Sequence, residues 1–303
     1  LHSDRLRYAK FLPAGMNHRR LARLGKRNRR IPIKRTLLLG SSLLLGACTQ
    51  HDTASYTEAA GAPKRAETQA LEAGARLLQG KAPLNAVSAY LNGFHFYSGD
   101  MDGQMEAHHY VTRLNEDVMQ AVIYDGNGRD AKLMGVEYII SARLFQGLPD
   151  EEKKLWHSHD YEVKSGTLVA PGLPQLAEKA LMEQLVTTYG KTWHTWHTDR
   201  DKALPYGIPA LMMGFTADGQ LDPALEAARD RRLGVDTGAS RRTRASIAQP
   251  PVDPLANAWE HGEVIRLQRV RLSAEPPQAD EIGPAEVHER GKLGEQLQRS
   301  GVP

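Results

Sequence analysis

Val118-Met119-Gln120-Ala121-Val122-Ile123-Tyr124 is a β-rich run, and Asp125-Gly126-Asn127-Gly128 follows it at once as a strong turn signal. A second β-rich run, Val111 to Leu114, stands just before it. Beyond the turn, Lys132 to Leu144 is apolar enough for a buried element of either type. Helix signals are interspersed with these runs. Pro149-Asp150-Glu151-Glu152 opens a short helix by its acidic first turn. Leu176 to Tyr189 reads as an amphipathic helix closed by Gly190. Tyr161-Glu162-Val163 and Thr167-Leu168-Val169 read as strand pieces flanking Gly166. Thr192 to Thr198 alternates as a strand, and Leu211 to Phe215 is a short strand or a helix start. No βαβ period repeats. The expectation is an α+β fold, a single compact domain of mixed strands and helices.

Upstream, Lys64 to Gln79 has helical spacing through Ala66, Leu71, Ala75 and Leu78, with Gly80 and Pro83 ending it. Downstream, Arg229 to Gln249 turns basic through Arg231, Arg232, Arg241, Arg242 and Arg244, which reads as a surface extension. Pro250-Pro251, Pro254, Pro276-Pro277 and Pro284 mark a tail without a core of its own.

Before all of this lies Leu43-Leu44-Leu45-Gly46-Ala47-Cys48, which holds the only cysteine of 303 residues. The apolar run from Leu37 to Ala47 is too short to span a membrane, which needs about 20 residues. It follows a basic segment, as in a bacterial lipoprotein signal whose cysteine takes a diacylglycerol. The expected layout is a leader over 1–47, starting at Leu1 or Met16, a lipidated tether over 48–63, a globular domain over 64–233 and an extended tail over 234–303. The expected location is the bacterial cell envelope, as a membrane-anchored lipoprotein of the outer membrane facing the periplasm. The net charge of +3 belongs to the leader, which holds twelve of the 39 basic residues and one of the 36 acidic ones. The remainder is acidic, which excludes a nucleic-acid partner read from charge.

The chemistry-bearing residues concentrate between His95 and His197. His95 stands between aromatics in Phe94-His95-Phe96-Tyr97. Glu106, His108 and His109 share Met105-Glu106-Ala107-His108-His109-Tyr110. His157, His159 and Glu162 share His157-Ser158-His159-Asp160-Tyr161-Glu162, and His194 stands beside Trp193 and near Trp196. Imidazole with carboxylate, Glu137 included, is the ligand set of a divalent metal such as zinc, iron or nickel. The same residues also serve as buried hydrogen-bond networks, or one histidine as a general base. Phe96, Tyr97, Trp156, Trp193 and Trp196 are candidates for an apolar lining, or simply for core. No Gly-x-Ser-x-Gly elbow, P-loop or dinucleotide fingerprint is present, so no catalytic residue is assigned and the reading leans away from an enzyme.

Several blocks are specific enough to compare with known proteins. Gln104 to Tyr110, Gly135-Val136-Glu137-Tyr138-Ile139, Leu155 to Gly166 and Ala203-Leu204-Pro205-Tyr206-Gly207-Ile208-Pro209 resemble, in order, the oil body-associated protein family of plants. The resemblance runs from about Leu84 to about Leu233. It implies a shared fold and a position at a lipid–water boundary, and it carries no enzyme activity to any position here. Together these readings give a membrane partner through the lipid anchor and a small-molecule or lipid ligand of unknown identity. The competing reading is a metal-dependent enzyme using His108, His157, His159 and Glu162, with Glu106 or Glu137 as base.

Overall fold

The computed structural model describes residue 55 and residues 57–200 and 203–270. The leader, Cys48 and the last part of the tail lie outside the described residues. The strands are β1 (Ala89–Tyr97), β2 (Asp100–Arg113), β3 (Val118–Tyr124), β4 (Leu133–Ser141), β5 (His157–Ser158), β6 (Thr188–His194) and β7 (Ala210–Met213). The helices are α1 (Ala66–Leu78), α2 (Ala82–Asn85), α3 (Ala142–Gln146), α4 (Asp150–Lys153), α5 (Asp160–Ser165), α6 (Gln175–Leu185), α7 (Pro223–Leu233) and α8 (Thr237–Thr243).

Every strand pairing is antiparallel, and β4 pairs with β6 to complete the cycle β1-β2-β3-β4-β6-β7. The fold is therefore a closed six-stranded antiparallel β-barrel with helices around it, mainly β in its architecture. The expected α+β arrangement is corrected. Its helices exist, but they form no layer of their own, and α5 and α6 pack onto one end of the barrel. β1 and β2 make a tight hairpin in which Gly99 has φ 76°, a left-handed conformation that glycine adopts without a Cβ penalty. The short β5 lies against β6 beside β7, and α5 follows it.

Side chains alternate across each strand, so register decides what enters the barrel. The paired sets Leu91–His109, Gly93–Ala107 and His95–Met105 share one face of β1 and β2. Across the next pairings that face continues through Ala121, Ile123, Gly135, Glu137, Ile139, Gly190, Thr192 and His194. Leu91, Val111, Met119, Ala121 and Ile139 pack at one end with Met182 and Leu185 of α6. Ala107, Ile123 and Met134 pack together elsewhere, as do Tyr97, Met105 and Met212. Polar groups fill the stretch between these apolar clusters.

Three local expectations change. Tyr161-Glu162-Val163 is helical within α5, and Gly166, at φ 86°, caps that helix. A Cβ on Gly166 would lie 2.4 Å from the Thr237 carbonyl oxygen, so the position admits only glycine. Helix α6 ends at Leu185, and Gly190 belongs to β6. The basic segment after Arg229 is no surface extension, since Arg229 and Arg244 are both 0% exposed. The Arg229 guanidinium donates to Asn92 Oδ1 and to the Thr167 carbonyl, each at 2.8 Å, and to Thr237 Oγ1 at 3.0 Å. It thereby fastens α7 to the outer side of β1. Arg244 likewise donates to the carbonyls of Val163 and Leu168, both at 2.8 Å.

Candidate metal centre

Glu137 stands at the middle of the barrel interior and 2% exposed. Its Oε2 lies 3.2 Å from His109 Nε2, while Oε1 lies 3.2 Å from His159 Nε2 and 3.4 Å from His157 Nε2. His95 meets His194 at 3.4 Å between ring nitrogens and stands edge-on to His109, with centroids 5.0 Å apart. His159 is oriented from behind by Thr188 Oγ1, 2.8 Å from Nδ1. Glu162, from α5, faces the same group, and a cavity of about 20 Å³ lies among His95, His109, Glu137, His159 and Glu162. That volume holds one water or one ion, since a water needs roughly 10–15 Å³.

Two sets of three buried groups converge. His95, Glu137 and His157 each present a ligand atom within 4.8 Å of the others, and so do His157, His159 and Glu162. The Nδ1 atoms of His109, His157 and His194, and Thr192 Oγ1, have no hydrogen-bond partner among the described residues. Buried polar atoms are otherwise almost always satisfied. Three imidazoles, of His95, His157 and His159, and two carboxylates, of Glu137 and Glu162, therefore converge, a donor set that fits a divalent transition ion.

The electrostatics agree with neutral rings at His95, His157 and His194. Burial, together with the neighbouring His109 and His194, pushes His95 well below the ordinary histidine value. Burial also lowers His157, against the opposing pull of Glu137, and brings His194 down to about 3. Burial alone would raise the Glu137 carboxyl, but the His109, His157 and His159 ring N–H groups outweigh it and hold it well below the usual carboxylate range. Among the described residues Glu162 has no such donor, so burial and the charges of Glu137 and Asp160 push it well above that range.

Two glycines make the room. A Cβ on Gly190 would lie 2.1 Å from Glu137 Oε1, 2.7 Å from His159 Nε2 and 2.8 Å from His157 Nε2. A Cβ on Gly214 would lie 2.9 Å from His157 and 3.2 Å from the Glu162 carboxyl. The sequence shows neither role: Gly190 reads there as the close of a helix, and Gly214 stands just past β7 with no local signal of what it approaches.

Glu106 and His108 lie outside this group, on the opposite face of β2 from His109. His108 Nδ1 meets Tyr90 OH at 2.7 Å, and Asn92 Nδ2 donates to Glu106 Oε1 at 2.8 Å. Arg232 of α7 pairs with the other Glu106 oxygen. Asn92 ties this outer network to Arg229. The aromatic candidates also sit apart from the polar layer. Phe96 packs with Phe215 and Trp259, and Trp193 packs against that cluster. Trp156 packs with Phe145 and Tyr189. Tyr97 donates to Asp199 Oδ1 at 2.6 Å, and Trp196 is half-buried.

Comparison with known proteins places the chain. Residues 81–248 match the family described as "Protein of unknown function (DUF1264)". The chain is 44% identical over 219 residues to oil body-associated protein 1A of Zea mays, covering 72% of this chain and 92% of the relative. It is 40% identical over 222 residues to oil body-associated protein 1B of Arabidopsis thaliana, covering 73% and 92% respectively. Oil body-associated protein 2C of Arabidopsis thaliana is 40% identical over 211 residues, 68% of this chain and 89% of the relative. No solved structure matches the chain. These relatives overturn the expected bacterial outer-membrane location, because they are plant proteins named for association with oil bodies. No helix among the described residues is long and apolar enough to cross a membrane. With the family match spanning more than half the chain and relatives of this identity over most of their length, the chain belongs to the family of the oil body-associated proteins.

Proposed function

We propose that this chain is a lipid-body-associated binding protein, without catalytic chemistry of its own, whose barrel interior holds one divalent metal ion. Association with lipid bodies is supported by the relatives' names. The metal reading is carried by one observation, the convergence of His95, Glu137 and His157 from three separate segments on a single buried point. Leaving a buried polar group unpaired costs about 1–3 kcal/mol, so an ion that takes up these lone pairs stabilises the barrel from inside. Rings held neutral by burial offer those lone pairs at neutral pH without competition from protons. An enzyme on the same residues has less support, because the cavity of about 20 Å³ leaves no room for a substrate beside the ion. His108, counted in that reading, lies on the other side of the wall.

Elemental analysis of the purified full chain tests the metal. One equivalent of zinc, iron or nickel is expected, lost in Glu137→Gln and in His157→Ala. A chain that stays metal-free after incubation with each ion and desalting sinks the proposal. Flotation with triacylglycerol droplets coated in phospholipid tests the lipid association separately. Acylation at Cys48 rests on the sequence alone, and palmitate labelling that disappears in Cys48→Ser is its test.

A further inference from the structure

A second, larger space opens at the end of the barrel, where β1, β2 and β3 approach α6. Its volume is about 550 Å³, within the roughly 300–1,000 Å³ typical of small-molecule sites. Leu91, Val111, Met119, Leu181 and Leu185 give it an apolar floor. Arg113, at the last position of β2, stands on its rim and is the single charged residue among the described ones that line it. The Arg113 guanidinium donates to Gln184 Oε1 at 2.7 Å and to the Glu116 carbonyl at 3.5 Å. Those contacts use two of its five N–H donors and fix the plane of the fork beside the opening.

One fixed cation above an apolar floor recognises a molecule with a single negative head and a hydrocarbon body. We propose that this pocket binds a monoanionic amphiphile of the long-chain carboxylate class, head on Arg113 and chain against Leu91, Met119 and Leu181. The site is independent of the metal centre. Leu91 and Leu185 form its floor and, on their far side, part of the wall of the small histidine cavity. The two spaces are neighbours but do not merge.

The test uses the full chain and a fluorescent C18 polyene carboxylate. Saturable binding is expected, with oleate displacing the probe at least about ten-fold better than methyl oleate, because a charge-assisted hydrogen bond is roughly twice as strong as a neutral one. Arg113→Gln, a rim substitution outside the core, is expected to bring oleate down to the level of its methyl ester. Leu181→Trp, which fills the space, is expected to abolish probe binding while metal content stays unchanged. Absence of saturable binding overturns the proposal. So does equal displacement by oleate and methyl oleate in the unaltered chain, or probe binding that survives Leu181→Trp.

Discussion

Gly190 stands against Glu137 so closely that a single added methyl would fall 2.1 Å from its Oε1. That methyl would also crowd the Nε2 atoms of His157 and His159. The glycine is therefore part of the polar layer, although it brings no side chain to it.

Gly190→Ala is expected to displace Glu137 from its three imidazoles. Overpacking of this kind costs about 1–3 kcal/mol. Denaturant unfolding should show that loss, and bound metal should fall with it. An alanine variant with unaltered stability and unaltered metal content would show that the strand and carboxylate are not packed as described.

Leu185 separates the outer pocket from the histidine cavity, being 1% exposed and lining both. Leu185→Ala should cost about 2–5 kcal/mol through the void it leaves. It should also join the two spaces, so that a chelator strips bound metal measurably faster than from the unaltered chain. Equal chelation rates in both proteins argue that the ion leaves by another route.

Arg229 has no exposure and donates to groups on β1, on the Thr167 segment and on α8. Removing one side of such a buried charged network typically costs about 3–5 kcal/mol. Arg229→Ala should lose about that much in urea titration, far more than Arg231→Ala on the same helix. Similar losses in the two variants would count against the anchoring role.

His108 ties pH to stability on the outer face. Burial, with His109 nearby, lowers it to about 3, whereas the unfolded ring takes its proton near pH 6.5. As pH falls from about 6.5 towards 3, the unfolded state binds a proton that the folded state refuses. Stability is thus fully present above 6.5 and declines below it, by up to about 1.4 kcal/mol per pH unit from this one group. His108→Gln, which cannot titrate, should show a shallower decline over that range. Parallel stability–pH curves for the two proteins would remove His108 as the cause.

The sequence made the ingredients of the site visible but not their arrangement. Histidine and glutamate clusters stood out by composition, whereas register alone decides that His109 enters the barrel and His108 leaves it. A one-residue shift in β2 would exchange them. The strands β1 and β2 were partly hidden for a related reason. Polar His95 and His109 face the interior, so the usual inward-apolar alternation fails along these strands. Helix α5, six residues long, is too short to show helical periodicity. The closure of β4 on β6 joins segments about fifty residues apart, from Gly135 with His194 to Ser141 with Thr188, and no local pattern announces it. The prominent helix α6 between them pointed instead to a layered α+β arrangement. The blocks resembling oil body-associated proteins were legible because they are long and ordered, and the family match spans them.

The pairing of β4 with β6 has a consequence for how copies of this chain meet. Each of the six strands in the ring has a neighbour on both sides along at least part of its length. Where the ring is paired on both sides it removes amide and carbonyl groups from templating by a stray strand, the usual seed of fibrous aggregation, whereas residues 100–107 of β2 belong to the hairpin with β1 and have no partner on β3. At high local concentration, strand addition between copies is therefore expected at the unpaired stretch of β2 and not along the segments that the ring closes.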